Sequence, residues 1–335
     1  MAKLVQVRAA LALGVLALIA APAHKAQAGS CPAVITACGC TITDAAAHTL
    51  GNDISAADGL TGKGDCIDIK HKNAKLDGFF FDIDGDVSPG VGIRILPGAT
   101  RAAVQNFDAI FGWDIGIEDD ANSATISDID TDENGTAGVF LNSVDKSIVS
   151  DFDSSASTGA GIVLKNSDGN QINDFDTDAN GGDGVRLTKS ERNTIKDFNS
   201  DFNSGEGVKL TRSIGNSIGD FNADENSADG VLLDKSSGNS IINYTASDNT
   251  VDGVLLDAGS DKNRIGDAST NDNGANGVEV GSGDKSNRVF FSTSVGNTGT
   301  DLVDGNPGCD KNIWTNLCFD TESQACIGVV APSCL

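Results

Sequence analysis

The 335-residue chain is acidic, rich in glycine and poor in aromatic side chains. Aromatic residues make up 5% of the chain against 40 glycines, which excludes a large layered core packed around rings. The formal net charge of −25 excludes a direct nucleic-acid binder, because phosphate contacts need clustered Lys and Arg. Of the 48 acidic residues 41 are Asp, which favours turns over helices, so the composition indicates a turn-rich fold.

The first 28 residues have the pattern of a secretory signal peptide. Lys3 and Arg8 supply positive charge, a 15-residue apolar run spans residues 9–23, and Ala26-Gln27-Ala28 offers a cleavage site. The run is shorter than the ~20 residues of a spanning helix. A membrane anchor and a lipoprotein modified at Cys31 are the alternatives. Cleavage removes three basic residues and no acid, so the net charge changes from −25 to −28. We expect a secreted, periplasmic or cell-surface protein without a transmembrane segment in the mature chain.

All eight cysteines lie beyond the cleavage site and divide between the two ends of the chain. An even number of cysteines in an exported chain indicates disulfides rather than zinc ligands. We expect Cys40 to pair with Cys66 and Cys318 with Cys326, and the other pairings stay open. The cysteines are Cys31, Cys38, Cys40, Cys66, Cys309, Cys318, Cys326 and Cys334.

The middle of the chain is an internal repeat of 22 to 24 residues, and each unit begins at a glycine followed by an apolar residue. Repeats of this period are typical of solenoids. In unit 207–229 the alternation of apolar and polar residues predicts three short strands and leaves no room for a helix. Each strand then pairs with its equivalent in the next unit, which predicts a parallel β-helix of about ten coils spaced about 4.8 Å apart. The units start at Gly92, Gly116, Gly138, Gly161, Gly184, Gly207, Gly230, Gly253 and Gly277, and Asp301 continues the series.

Residues at equivalent repeat positions should stack on one another in such a fold. We predict a signal peptide at 1–28, an N-terminal cap at 29–75, the β-helix at 76–300 and a C-terminal cap at 301–335. The expected stacks are Asn170, Asn193, Asn216 and Asn239; Asn180, Asn203, Asn226 and Asn249; Ile172, Ile195, Ile218 and Ile241; and Phe152, Phe175, Phe198, Phe221 and Tyr244.

The repeat resembles that of right-handed parallel β-helix proteins of the pectate-lyase-like superfamily. The shared pattern is G-[VI]-x-L-x-x-S-x-x-N-x-I-x-D-F, which occurs at 184–198 and 207–221. The opening at 38–42 and the exit Asn312-Ile313-Trp314 are also similar to exported members. The resemblance implies an all-β right-handed solenoid. It covers several functions: pectate lyases, polygalacturonases, alginate epimerases, copper-insertion accessory proteins and surface proteins of no known activity.

An acidic strip follows the outer face of successive coils. Stacked carboxylates about 4.8 Å apart repel one another unless cations lie between them. Oxygen ligands of this kind suit Ca²⁺, so we interpret the strip as a candidate calcium site. The alternative is a solvated, salt-screened face. The strip consists of Asp130, Asp132, Asp153, Asp176, Asp178, Asp201 and Asp224.

A basic cluster of Lys165, Arg186 and Lys209 is expected on the outer face of the first strand. Asp183, Glu206 and Asp229 precede it. The resemblance to lyases implies that such a base, beside carboxylate-bound Ca²⁺, would abstract the proton next to a uronate carboxylate. The coils carry no insertion that would wall a cleft, and a substrate pocket needs concavity. The alternative is that the cluster forms ion pairs with the neighbouring acids.

The sequence offers little for other chemistries. His48 and His71 are the only histidines beyond the signal peptide, and Met1 is the only methionine. We interpret the chain as an exported, non-catalytic β-helix rod, a surface or matrix protein that binds glycan or cations. One alternative is a Ca²⁺-dependent polysaccharide lyase or epimerase acting on a uronate polymer. The other is a purely structural envelope spacer.

Overall fold

Residues 29–58, 60 and 64–328 are described by a computed structural model of the chain. The expected signal peptide and Cys334 lie outside these residues. The described residues form strands and two short 3-10 segments, Ala56–Asp58 and Pro307–Cys309, and no helix among them is long and apolar enough to cross a bilayer. The strands are β1 (Gly29–Ser30), β2 (Val34–Ile35), β3 (Cys40–Ile42), β4 (Ala47–Leu50), β5 (Ile54–Ser55), β6 (Ile67–Ile69), β7 (Lys75–Asp77), β8 (Ile83–Ile95), β9 (Ala103–Phe107), β10 (Ile110–Asp119), β11 (Thr125–Asp130), β12 (Ala137–Asn142), β13 (Ile148–Asp153), β14 (Ala160–Lys165), β15 (Gln171–Asp176), β16 (Val185–Thr188), β17 (Thr194–Asn199), β18 (Val208–Thr211), β19 (Ser217–Asn222), β20 (Val231–Asp234), β21 (Ser240–Thr245), β22 (Val254–Asp257), β23 (Arg264–Ser269), β24 (Val278–Val280), β25 (Arg288–Phe290), β26 (Thr293–Ser294), β27 (Leu302–Asp304), β28 (Ile313–Thr315) and β29 (Cys318–Phe319).

Two parallel sheets run along the molecule and confirm the predicted parallel solenoid. Sheet A has the order β1-β3-β6-β8-β10-β12-β14-β16-β18-β20-β22-β24-β27, and β5 pairs with β8 beside this path. Sheet B has the order β2-β4-β7-β9-β11-β13-β15-β17-β19-β21-β23-β25-β28, with β26 and β29 beside it. The chain completes about twelve turns, slightly more than the ten expected, because strands within 29–75 and 301–328 continue both sheets.

Each regular coil contains two strands, so the expectation of three was wrong. In the coil that starts at Gly207, β18 belongs to sheet A and β19 to sheet B. The second and third predicted strands are one strand, β19, which bends at Asp220 with φ 57°. Asp tolerates this left-handed conformation because its short side chain bonds locally. The bend turns the chain without ending its pairing to the next coil.

The predicted asparagine ladders are present and buried. The Nδ2 of Asn170 donates to Asn193 Oδ1 at 3.0 Å, and the same contact recurs from Asn193 to Asn216 and from Asn216 to Asn239. In each step the backbone N–H of the earlier residue donates to the same oxygen. The second ladder repeats this backbone contact from Asn180 onwards. Each amide thus satisfies buried polar groups of two neighbouring coils.

The predicted ring stack is also present. Phe152, Phe175, Phe198 and Phe221 have successive centroids 4.7 Å apart, with interplanar angles of 6° or less. Tyr244 continues the stack at 5.0 Å. The isoleucines of the apolar stack pair in register and are fully buried. The same residue types therefore fill the core in one coil after another.

The ends of the solenoid are cross-linked, but the two predicted pairings were wrong. Cys38 bonds to Cys66 and Cys31 to Cys40, and at the other end Cys309 bonds to Cys326. The register of β3 places Cys40 opposite Ile67, whereas the Cα of Cys38 lies 4.3 Å from that of Cys66. Cys318 is also disulfide-bonded.

The asparagine ladder generates a stability prediction. Asn216→Ala removes the acceptor of the Asn193 backbone N–H, which is left buried and unpaired, whereas Asn193 Nδ2 keeps Ser167 O and Ser190 O keeps the Ile214 N–H. We expect a loss of about 2 kcal/mol in the free energy of unfolding, since an orphaned buried group costs about 1–3 kcal/mol. Chemical denaturation measures it.

The control for this prediction is Asn222→Ala. Asn222 is exposed, and its Nδ2 donates to Asn199 Oδ1 on the surface. We expect a change within about 0.5 kcal/mol. Equal losses for the two variants would show that the buried ladder adds nothing to a surface amide contact.

Candidate functional site

An open groove of about 770 Å³ runs lengthwise along the C-terminal ends of the sheet B strands. It follows six successive strands, β11 to β21, so it is about 24 Å long at the coil spacing. Two rows of polar side chains and the ring stack line it. The lining residues are Asp130, Asp151, Phe152, Asp153, Asp174, Phe175, Asp176, Asp197, Phe198, Asn199, Asp220, Phe221, Asn222, Asn243, Tyr244 and Thr245.

The first row of the groove contains part of the predicted acidic strip. Asp130 pairs in register with Asp153, and Asp153 with Asp176. Uncharged residues then continue the row, from Asn199 to Asn222 to Thr245. The Nδ2 of Asn199 donates a hydrogen bond to Asp176 Oδ1 at 2.8 Å, at the point where the row changes from carboxylates to uncharged side chains. This bond partly offsets the negative charge of Asp176.

The second row of the groove was missed by the sequence analysis. Asp151, Asp174, Asp197 and Asp220 lie at the bend of each sheet B strand, with φ between 52° and 58°, and all are exposed. Asn243 takes the same position in the next coil. The available signal was the recurrent Asp immediately before each stacked Phe. Because the bend favours Asp or Asn, the backbone requirement itself supplies a row of carboxylates.

The ring stack between the two rows does not provide free ring faces. Inside the stack both faces of each ring contact a neighbouring ring, since the centroids are 4.7 to 5.0 Å apart. All five rings are buried. A ligand in this groove therefore meets carboxylates and amides rather than an aromatic platform.

The charge of the groove is strongly negative. Seven of the lining residues are Asp, and none is Lys, Arg or His. Beside the groove, Lys196 Nζ contacts Asp197 Oδ2 at 2.6 Å. Partial burial, the neighbouring Asp153 and Asp132, and more distantly Asp108, raise the pKa of Asp130 to about 6. The groove therefore favours protons, cations or hydroxyl donors.

The other four members of the predicted strip form a separate row with a structural contact. The Oδ1 of Asp132, Asp178, Asp201 and Asp224 accepts a backbone N–H from the next coil at 2.7 to 2.8 Å. Burial raises the pKa of Asp201 to about 6; accepting the Asp224 amide lowers it, and the charge of Asp224 adds to the increase. These carboxylates help to hold one coil on the next.

The predicted basic cluster does not form as a set of three. Arg186 and Lys209 pair in register, but Val163 occupies the equivalent position one coil earlier, and Lys165 is opposite Thr188. Lys165 lies two residues further from the start of its coil than Arg186 does, so it belongs to another row. The cluster is on sheet A and contributes nothing to the lining of the groove.

Arg186 and Lys209 instead form local ion pairs. Arg186 Nε contacts Asp183 Oδ2 at 2.5 Å, and Lys209 Nζ contacts Glu206 Oε1 at 2.8 Å. Burial alone would raise the pKa of Asp183, but its hydrogen bond with Glu206 and the Arg186 charge lower it overall. Asp229 accepts the backbone N–H of Asp252 at 3.0 Å. These pairs agree with the alternative interpretation of the cluster as ion partners.

The groove is open on its outer side, so the expectation that a walled cleft requires an inserted loop stays a prediction. The groove forms on coils of regular length, because each left-handed bend sets the residues before and after it at an angle. In the part of the chain that the structure describes, no group of three or more His, Cys, Asp or Glu side chains is arranged to hold a metal ion. Calcium binding by the strip stays a prediction.

The raised carboxyl pKa values generate a prediction about pH. Asp130, Asp201 and Asp252 each have a pKa of about 6, mainly through burial, against about 3.9 in an unfolded chain. Between about pH 4 and 6 the folded chain therefore binds more protons than the unfolded one, and its stability falls as pH rises. We expect a higher unfolding midpoint at pH 5 than at pH 7.5 in buffer without divalent cations.

The variant D130N/D201N should reduce this difference between the two midpoints. A matched control, D248N/D272N, changes two exposed carboxylates outside the groove and should retain the difference. A midpoint that rises between pH 5 and pH 7.5 would contradict the assignment.

Known proteins share the fold of this chain. Residues 160–311 match the sequence family described as the right handed beta helix region. No curated protein matches the sequence significantly. Among solved structures, the A-module of a mannuronan C-5 epimerase of Azotobacter vinelandii has 14% identity and a TM-score of 0.60, with 89% of this chain and 87% of that chain covered.

Two further solved structures are similar over most of the chain. The periplasmic alginate epimerase AlgG has 14% identity and a TM-score of 0.62, with 86% of this chain and 76% of that chain covered. The Dettilon tailspike protein has 14% identity and a TM-score of 0.56, with 84% of this chain and 60% of that chain covered. At these identities the likeness shows the fold alone. Together with the two stacked parallel sheets, it shows that the chain has a right-handed parallel β-helix fold, and the family match covers residues 160–311 of it.

Proposed function

We propose that the protein is a non-catalytic rod, exported from the cytoplasm, that binds a polysaccharide lengthwise in the acidic groove. The observation that carries this proposal is the groove itself, about 770 Å³ in volume and extended along the coil axis. Carboxylates and amides recur at each coil, about 4.8 Å apart, and accept or donate hydrogen bonds. A linear polymer with a regular series of hydroxyl groups suits such a periodic surface.

The charge of the groove selects among polysaccharides. Seven aspartates line it, and three of them, Asp130, Asp153 and Asp176, pair in register on successive coils. A polyuronate adds further carboxylates and is repelled, whereas a polymer with amino groups is attracted and a neutral polymer is accepted through its hydroxyls. We therefore infer that an amino-bearing polysaccharide binds most tightly and a neutral one less tightly.

Several contacts support a non-catalytic role. Arg186 and Lys209, the candidate bases, form ion pairs on sheet A, away from the groove. Tyr244 lines the groove, but its hydroxyl is buried, and burial raises its pKa well above the ordinary value. General acid–base catalysis works best with a group whose pKa lies near the working pH. The tyrosine, with its raised pKa, is not such a group, and the two bases lie on sheet A, outside the lining of the groove.

The proposed location outside the cytoplasm rests on the disulfides and on the signal-like N-terminus. Three disulfides connect cysteines near the two ends of the described chain. Structural disulfides persist in oxidising compartments and are rare in the cytosol. A periplasmic enzyme and a tailspike are among the solved structures of similar fold, which agrees with this location.

A second candidate function is calcium-dependent binding of a uronate polymer. The in-register aspartates favour it, because a divalent cation between them would neutralise the groove and bridge to ligand carboxylates. Two of the similar structures are named as epimerases of mannuronan and of alginate. A calcium-dependent lyase or epimerase is the catalytic version of this candidate. A ligand-free envelope spacer is the remaining alternative.

Binding measurements on the purified protein separate these functions. The probes are chitosan oligomers, neutral cello-oligomers and polyuronates, each with and without Ca²⁺. In the variant D174N/D197N, which changes two second-row residues, we expect chitosan-oligomer affinity to fall about tenfold. The control D248N/D272N removes the same charge outside the groove and should fall less than twofold.

The outcomes distinguish the candidates. Equal affinity in both variants would place binding elsewhere and refute the groove. Uronate binding that appears only with Ca²⁺ supports the second candidate. An absorbance increase from unsaturated uronate products would show a lyase, and no binding of any probe would favour the spacer.

The calcium proposal has its own thermal test. We expect millimolar Ca²⁺ to raise the unfolding midpoint more than NaCl of matched ionic strength, because a ligand of the folded state stabilises it by about 2.7 kcal/mol at a hundred times its dissociation constant. D153N/D176N should reduce the Ca²⁺ increment and raise stability without Ca²⁺, since repulsion falls. Identical effects of the two salts would leave the strip as a solvated surface.

A further inference from the structure

Two arginines stand on adjacent coils at the C-terminal part of sheet B. Arg264 begins β23 and Arg288 begins β25, and the two pair in register. Both side chains are exposed. Within residues 29–58, 60 and 64–328, neither forms an ion pair with a carboxylate, whereas Arg186 and Lys209 each have one. Two unpaired positive charges side by side are unexpected on a chain of net charge −25.

Both guanidinium groups contact the same aromatic ring. The Cζ atoms of Arg264 and Arg288 each lie 5.2 Å from the centroid of Phe290, so the two charges are at most about 10 Å apart. Phe290 pairs in register with Gly266, where an added Cβ would lie 2.7 Å from its ring atoms. The glycine therefore leaves the space that the ring occupies, and the ring is 5% exposed.

A second aromatic residue next to this pair faces solvent. Phe291 contacts Phe290 edge to face, with centroids 5.9 Å apart, and is 57% exposed. Its φ of 48° places it in the left-handed bend, one coil after Asp267. Phe291 thus places a large apolar side chain in the row of bend residues, between Asp267 of the preceding coil and Asn316 of the next.

This arrangement has the chemistry of an anion site. Each cation–π contact orients the guanidinium but does not neutralise its charge. The planar fork of Arg binds carboxylate, sulfate and phosphate oxygens through two parallel hydrogen bonds. An oxyanion that lies between the two forks would relieve their mutual repulsion.

We propose that Arg264, Arg288 and Phe290 form a binding site for an oxyanion group, with the exposed ring of Phe291 contacting the body of the molecule that carries it. The oxyanion group is a sulfate, a phosphate or a carboxylate. The site is separate from the acidic groove, whose lining ends at Tyr244 and Thr245, one coil before the coil of Arg264. It thus adds a point of opposite charge to the same side of the rod.

Binding of dextran sulfate to the purified protein tests the site, with uncharged dextran and polygalacturonate as companion probes. In R264Q/R288Q we expect at least a tenfold loss of dextran sulfate affinity. The matched control R101Q/R212Q removes two exposed arginines elsewhere and should change the affinity less than twofold. Inorganic sulfate, titrated while the arginine side-chain NMR signals are recorded, distinguishes a free anion from a polymer-bound one.

The further variant R264K/R288K preserves the charge but removes the planar forks. We expect its affinity to lie between those of the wild type and R264Q/R288Q, and this comparison decides the test if R264Q/R288Q does not fold. The proposal is overturned if wild type and R264Q/R288Q bind dextran sulfate equally, if the control loses as much affinity, or if R264K/R288K binds like the wild type. It is also overturned if uncharged dextran binds as tightly as the sulfated polymer.

Discussion

Pairing of each coil with the next is the interaction on which the whole structure depends. A coil of 22 to 24 residues cannot bury its own apolar face, so its backbone and core groups are completed by its neighbours. The buried asparagines show this directly, because the Oδ1 of Asn216 accepts two N–H groups from Asn193 while its own amide donates to Asn239 and to Ser190. The phenylalanine stack applies the same rule to apolar side chains.

The same pairing also determines the surface. A side chain that faces outward at one repeat position lies about 4.8 Å from its equivalent in the next coil, which also faces outward. Like residues therefore collect in rows. Where the position also requires a left-handed backbone, Asp and Asn are favoured, and the second row of the groove follows. The groove is therefore a by-product of how the strand bends, and its negative charge is available for ligand binding.

The sequence predicted well those features that depend on the repeat alone. The Asn, Ile and Phe stacks followed from counting residues between equivalent positions, and so did the parallel sheets. Features that depend on local backbone geometry could not be predicted from the sequence. A bend within β19 cannot be told from a break between two strands by alternation, and the role of Asp220 was hidden for that reason. Lys165 was assigned to the wrong row by a two-residue offset, and the cysteine pairs depend on register within irregular end coils.

The regular coil length has a consequence for how such a protein changes over generations. Successive sheet B strands in the central region repeat every 23 residues, as the pairings Phe152–Phe175–Phe198–Phe221 show. Duplication or loss of one such unit adds or removes a single turn, leaves the stacks continuous, and alters groove length by about 4.8 Å without changing its cross-section. The number of repeat units thus sets the length of the binding surface. Gain or loss of units changes this length in steps, without the substitution of any residue.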